Sequence, residues 1–315
     1  MSSVGLVAKV VLLVSFMGAT YVVSQRALAT WYVDDNYPKF TGSASGLLLG
    51  VSRVSYGVSP AILEDCLSEP GEPLTIENFA IAHQETDYGE TYLDAIRRKL
   101  DPATRNGVFV VGVNPATVSQ YLAEGGAEPD DSHTIVGQMG SYTADPNLEY
   151  IRRFYGKALY RAFTRTGEEF NLRVAHPDGW VEMRRQIPAY TMSDSAMAGW
   201  RKQNVDRMTR DMPLAAPSSH RLASLGNTLD FLRRHGRVWV VRMPAHPEVL
   251  ALEDAYWPDF NAVMAELARS HEVDYLDYSG EEDTFPTYDG SHLLSESARA
   301  FSQRLCRDLQ ASSSR

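Results

Sequence analysis

The chain has 315 residues, 44% hydrophobic and 22% charged, enough to bury one large core or two smaller ones. A formal net charge of −10 argues against a nucleic-acid surface, which needs a basic stripe, and makes anionic polymers poor partners unless a local basic patch exists. Two cysteines alone, Cys66 and Cys306, cannot build a structural zinc site.

The first element is Val4–Val23, twenty mostly apolar residues interrupted by Lys9 and a few small polar ones. That length suffices to cross a bilayer once. It reads as an uncleaved anchor or as a signal peptide with Ala27-Leu28-Ala29 as its cleavage site, and either way the remainder is exported. Residues 1–25 form this segment, 26–45 a polar and aromatic connector, and 46–311 one domain with an insertion at about 125–217.

The domain opens on Gly46–Pro60, GLLLGVSRVSYGVSP. Leu47-Leu48-Leu49 reads as a buried strand, Gly50 breaks it, and Ser59-Pro60 reads as a helix start with Ser59 as N-cap. Ser52 therefore sits on a strand-to-helix turn, where a hydroxyl is exposed as a nucleophile; a turn-forming serine is the plainer reading of this stretch alone. Further strands are expected at Leu74–Phe79, Gly107–Val113, Arg237–Met243 and Val273–Tyr278. Helices are expected at Thr86–Leu100, Leu222–His235 (closed by Gly236), Pro258–Ser270 and Ser295–Leu309. Such alternation predicts an α/β fold, three α/β/α layers around a doubly wound parallel sheet behind an N-terminal transmembrane helix.

The stretch Gly125–Pro217 breaks the alternation and is rich in aromatic residues. It reads as an insertion over the strand ends, with Asn147–Arg165 helical and His176–Gly179 a turn before Trp180.

Two more stretches carry chemistry. In Tyr288–Leu293, YDGSHL, Asp289 and His292 stand three residues apart on a loop and can converge on one point. Serine needs an adjacent base, and that base an orienting group, so His292 would take the Ser52 proton and Asp289 would hold its tautomer. Asn114 follows the strand Gly107–Val113 at the same sheet edge as Ser52, where an asparagine amide can donate to a developing oxyanion. Arg53, Arg242 and His246 are candidate substrate-binding residues at that edge. No His-x-x-x-His spacing and no Gly-rich phosphate loop followed by Lys occurs, so no metal or other cofactor is expected. Cys66 and Cys306 could pair in an oxidising compartment or remain two buried thiols.

The order of these motifs, a serine after the first strand, Gly112-Val113-Asn114 after a middle strand and Asp289-x-x-His292 before the last helix, resembles the SGNH (GDSL-type) hydrolase superfamily. The wording GVSRVSYGVSP is similar to a membrane-anchored bacterial branch whose first block reads Gly-x-Ser-Arg, and there is a more distant likeness to the D-alanyl transfer proteins of teichoic acid synthesis. The resemblance implies an SGNH/flavodoxin-like fold with Ser52 as nucleophile, His292 as base and Asp289 as orienter. It implies an oxyanion hole from the Ser52 backbone N–H, Asn114 and the candidate glycine Gly89. Val51 replaces the aspartate of the family's first block, and Pro115 the residue after its asparagine. The implied function is a serine-dependent esterase or O-acyltransferase at the extracytoplasmic face of the cell membrane. Its partners would be an acylated small molecule or cell-envelope polymer and the membrane itself. The alternative is a non-catalytic SGNH-like binding or assembly protein.

Overall fold

The structure is a computed structural model and describes residues 3–31, 34–68, 74–155 and 171–313. Helix α1 (Ser3–Trp31) is exposed from Gly5 through Val23 and is long and apolar enough over Gly5–Ala27 to span a membrane. It runs on past Val23 into what the sequence suggests is connector. There Ser24 and Gln25 are buried, Ala27 packs on the core, and the helix meets a turn of π-helix at Ile151–Tyr155. A 3-10 turn at Tyr37–Phe40 then leads into the domain.

From there strands and helices alternate: β1 (Gly46–Leu49), α2 (Ser52–Gly57), α3 (Pro60–Leu67), β2 (Ile76–Asn78), α4 (Glu90–Lys99) and β3 (Gly107–Val113). After the insertion, which contains α5 (Asp194–Asp211), come α6 (Ser219–Arg233), β4 (Gly236–Arg242), α7 (Pro247–Tyr256), α8 (Phe260–Ser270), β5 (Asp274–Asp277) and α9 (Ser295–Ser313). The five strands form one parallel sheet in the order β5-β4-β3-β1-β2. β3, GVFVVGV, lies at its centre with all seven residues buried, the pattern of a strand covered on both faces.

Alternation along β3 divides the core. Phe109, Val111 and Val113 pack with Ile96 of α4, Leu225, Leu229 and Leu232 of α6, and Phe260, Met264 and Ala268 of α8. Val108 and Val110 pack on the other face with Leu63 and Leu67 of α3 and with Ala298, Phe301, Leu305 and Leu309 of α9. Each helix brings its apolar residues at three- and four-residue spacing, and burying one such large side chain is worth about 1.5–3 kcal/mol. Cys66 on α3 and Cys306 on α9 are joined in a disulfide with Cα atoms 6.4 Å apart. Of the two readings of the cysteines, pairing is the one found, because both helices lie on the same face of the sheet.

Several boundaries differ from those expected. Gly236 begins β4 rather than closing α6, which ends at Arg233; a side chain at Gly236 would strike the Gly107 backbone oxygen at 2.1 Å. In Asn147–Arg165 only a short helical turn at Leu148–Tyr150 and the π turn lie among the described residues; residues 156–170 fall outside them. His176–Trp180 is a turn as expected, and it joins a two-stranded hairpin of Arg173–Ala175 and Val181–Met183. α5 and α7 are helices that the apolar pattern does not announce.

Candidate active site

The carboxyl ends of β1 and β3 meet through two glycines. Gly50 has φ +127°, and an added Cβ would lie 2.8 Å from the Gly112 carbonyl oxygen. A Cβ on Gly112 would lie 2.1 Å from Cγ2 of Val54, so this pair lets the first turn of α2 pack directly onto the strand ends. Nearby hydroxyls satisfy the exposed backbone: Thr86 donates to the Gly50 carbonyl (2.7 Å), Tyr92 accepts from the Gly50 N–H (3.3 Å) and Tyr88 donates to the Gly112 carbonyl (2.8 Å). Ser52 thus becomes the first residue of α2, not a residue of an open turn, and its N–H has no partner within the helix.

Asp289 and His292 come from the loop between β5 and α9, where Gly290 takes φ +86°. Ser52 Oγ and His292 Nε2 are 2.8 Å apart, and His292 Nδ1 and Asp289 Oδ2 are 2.7 Å apart. The other Asp289 oxygen accepts from the backbone N–H groups of Ser291 (3.0 Å) and His292 (2.9 Å). Burial pushes the Asp289 carboxyl up, but the His292 ring and these hydrogen bonds outweigh it and hold the group below the usual carboxylate value. The imidazole packs against two neighbouring phenols, with Tyr56 at 5.0 Å and Tyr288 at 5.9 Å between ring centroids and the two phenols 6.4 Å from each other. Burial pushes the Tyr56 hydroxyl up to about 12, so that ring stays neutral beside the histidine.

Ser52 and His292 open on a cavity of about 420 Å³ that Asn114 also lines. Asn114 is 6% exposed, and its Oδ1 caps the following 3-10 turn by accepting from the N–H groups of Ala116 and Thr117. That fixes the amide, and among the described residues Nδ2 has no hydrogen-bond partner. Gly89 is not brought to this cavity. It precedes α4 and is walled off by Asp131 and Arg221, whose side-chain atoms an added Cβ would approach at 2.6 and 2.7 Å.

Of the three residues expected to bind substrate, only Arg53 lines the cavity, and it is engaged. Its Nη2 donates to Glu253 Oε1 at 2.5 Å, while Nη1 is buried without a hydrogen-bond partner among the described residues. Arg242 lies outside the cavity wall. It donates to the other Glu253 oxygen (2.9 Å) and to Asn261 Oδ1 (2.7 Å), and it packs on the Phe260 ring. His246 is also elsewhere: it caps α7, with Nδ1 accepting from the Glu248 N–H at 3.2 Å. A guanidinium at a strand end serves the edge of the core here, because α7 supplies the carboxylate that matches it.

Three contributors were not visible in the sequence. Glu253 holds Arg53 and Arg242 together. Asn204, the one buried residue of α5, donates to the Asp289 carbonyl (3.2 Å) and to Ser291 Oγ (2.8 Å), so the insertion braces the histidine loop. Lys39, wholly buried below α2, donates to Ser55 Oγ (3.2 Å), to the Asn78 carbonyl (3.0 Å) and to the Gly179 carbonyl. Burial pushes its ammonium down to about 7 despite the nearby Asp35 and Asp178. The only sequence signal for Asn204 is a polar residue without a polar reason on an otherwise exposed helix.

No group of three or more His, Cys, Asp or Glu side chains among the described residues is arranged to hold a metal ion. What the arrangement can do chemically is move a proton from a serine hydroxyl to an imidazole whose tautomer is held from behind, beside a free amide donor. The scan against protein-family models found no match, and the search of curated proteins found no significant one.

Proposed function

We propose that the protein is a serine-dependent ester hydrolase or O-acyltransferase of SGNH type, with its doubly wound domain held outside the cytoplasm by α1. The observation that carries this reading is the hydrogen-bonded series Ser52–His292–Asp289, at 2.8 and 2.7 Å. In the first step Ser52 Oγ attacks the ester carbonyl carbon and its proton passes to His292 Nε2. The tetrahedral intermediate then collapses, its C–O bond breaks, and the leaving alkoxide takes that proton as an alcohol. Water or a sugar hydroxyl next gives a proton to His292 Nε2 as it attacks the acyl-serine carbonyl; the bond from Ser52 Oγ to the acyl carbon then breaks, and His292 returns that proton to Ser52 Oγ. The Asn114 amide and the Ser52 N–H are the donors available to the oxyanion, and one such donor is worth about 3–4 kcal/mol of barrier.

A fluorophosphonate probe tests the reading. Labelling of the full chain that Ser52→Ala abolishes is the expected result, and no labelling of the wild-type chain overturns it. The placement of Gly89 away from the cavity favours the second reading, a non-catalytic SGNH-like binding or assembly protein of the cell envelope, which predicts no labelling. Anchoring by α1 is supported by the burial of Ser24 and Gln25 against the domain, since one helix then belongs to both parts. Carbonate extraction of cells making the full chain should leave it in the membrane fraction, whereas a soluble product beginning at Thr30 would mean cleavage after Ala29.

A further inference from the structure

Arg53 follows Ser52 on the first turn of α2, lines the same cavity and is only 7% exposed. Its guanidinium is half used. Nη2 donates to Glu253 Oε1, while Nη1 is an unused donor on a buried cation, without a hydrogen-bond partner among the described residues. Such a group costs free energy until something accepts from it. Its charge is short of a partner as well. Among the described residues Glu253 is the only carboxylate in ion-pair range of Arg53, and its other oxygen goes to Arg242. Arg242 has a second acid, Asp254 at 3.8 Å, and Arg53 has none. The other lining arginines differ. Arg221, whose Nε also lacks a partner, places both Nη atoms on Asp131 as a matched pair. Arg207 is exposed and gives its Nη2 to Asn204.

We propose that the cavity binds a substrate bearing a carboxylate, which accepts from Arg53 Nη1 a short distance from the ester carbonyl at Ser52. The position of the carbonyl rests on the acyl-transfer reading; the carboxylate subsite does not. A half-ester of a dicarboxylic acid carries the anion on its acyl half, and an O-acylated hydroxy acid carries it on its alcohol half. The chemistry that Arg53 recognises is the same in both. The rest of the lining opposes a looser attraction. It has six carboxylates against three guanidinium groups, so the field of the whole cavity disfavours an anion. A preference for the carboxylate must then come from one directed, charge-assisted donor.

The test uses the full chain in lipid nanodiscs and amides in place of the labile ester, so that it does not depend on turnover. Titration calorimetry compares two pairs of equal size: succinamate with succinamide, and N-acetylglycine with N-acetylglycinamide. In at least one pair the carboxylate should bind about tenfold or more tighter than its neutral partner. Preference in the first pair puts the anion on the acyl half of the substrate, and in the second on the alcohol half. Arg53→Lys, which keeps the charge but loses the second nitrogen, and Arg53→Gln should each bring that ratio to about one or below. Both variants should bind the neutral amides as the wild-type chain does, which reads an intact cavity. Equal or weaker binding of both carboxylates to the wild-type chain, or a preference that survives both substitutions, overturns the proposal. Failure of the acyl-transfer reading shows separately, as absence of fluorophosphonate labelling.

Discussion

Two carboxylates close to Ser52, the half-buried Asp289 and the buried Glu253, do opposite things with the basic groups they hold. Asp289 takes one nitrogen of His292 and leaves the other facing a hydroxyl on the cavity wall. Glu253 is shared between Arg53 and Arg242, and its two oxygens are spent on guanidinium groups that cannot give up a proton at ordinary pH. An acid–base pair can move a proton only when the base keeps a second, uncommitted face toward an open space. The Glu253 cluster has the charge and the location, but its bases are guanidinium groups that can accept no proton even where Arg53 Nη1 is left without a partner, and the cluster holds α7 and β4 against α2. Lys39 marks a further limit, a buried cation whose direct partners are a hydroxyl and two carbonyls.

The contrast can be broken at each acid in turn. The largest effect is expected from the reactive face itself: Ser52→Ala and His292→Ala should each lower ester turnover by roughly 10⁴-fold or more, and the double variant should lose little beyond either. Fully additive losses measured in kcat would show that the two side chains do not act as one unit. Asp289→Asn should cost roughly 10³–10⁴-fold in kcat with the circular dichroism spectrum unchanged, because the wrong tautomer is then favoured. The Asp289 carboxyl is held below its ordinary value, so its contribution to stability is present above its unfolded pKa and disappears as the pH falls through the folded one. Acid titration of thermal unfolding should accordingly show less loss in Asp289→Asn than in the wild-type chain.

Glu253→Gln acts on the other side of the comparison. It leaves the Arg53 guanidinium without a countercharge and Arg242 with only Asp254 at 3.8 Å, and it should lower unfolding free energy by about 3–5 kcal/mol, read by chemical denaturation. A loss of activity with unaltered stability would mean that Glu253 serves the reaction rather than the scaffold. The smallest effect is expected at Lys39. Its folded value near 7 lies below that of the unfolded chain, so the unfolded state binds more protons between about pH 7 and 10 and stability should rise with pH there. The slope is at most about 1.4 kcal/mol per pH unit, and Lys39→Met should flatten it.

What the sequence discloses follows the same division. β3 is legible because a run of β-branched residues buried on both faces has few other readings, and α6, α8 and α9 because their apolar residues recur at helical spacing. α5 is not legible, since it buries only Asn204 and presents no apolar stripe. α7 buries only Val249 and Glu253 and follows Met243-Pro244-Ala245-His246-Pro247, a stretch whose prolines suggest a loop. Ser52, Asp289 and His292 stand out because each sits where a strand ends or a helix begins. The partnership of Arg53 with Glu253 joins residues 200 positions apart, and no local pattern announces it. The sequence places Arg242 at the right edge of the sheet and leaves unstated which acid will claim it.

The disulfide has a topological consequence. Cys66 lies fourteen residues after Ser52, and Cys306 the same distance after His292. The bond closes the 240-residue separation into a covalent ring that contains the insertion and four of the five sheet strands. A single proteolytic cut anywhere inside the ring leaves the Ser52 arm and the α9 arm on one molecule, so a nicked chain should migrate as one species until reductant parts it. Opening the ring by reduction should also withdraw about 5 kcal/mol of chain-entropy stabilisation. The insertion can then be cleaved, or exchanged for another of different length, while the arms that carry Ser52 and His292 remain tied to one frame.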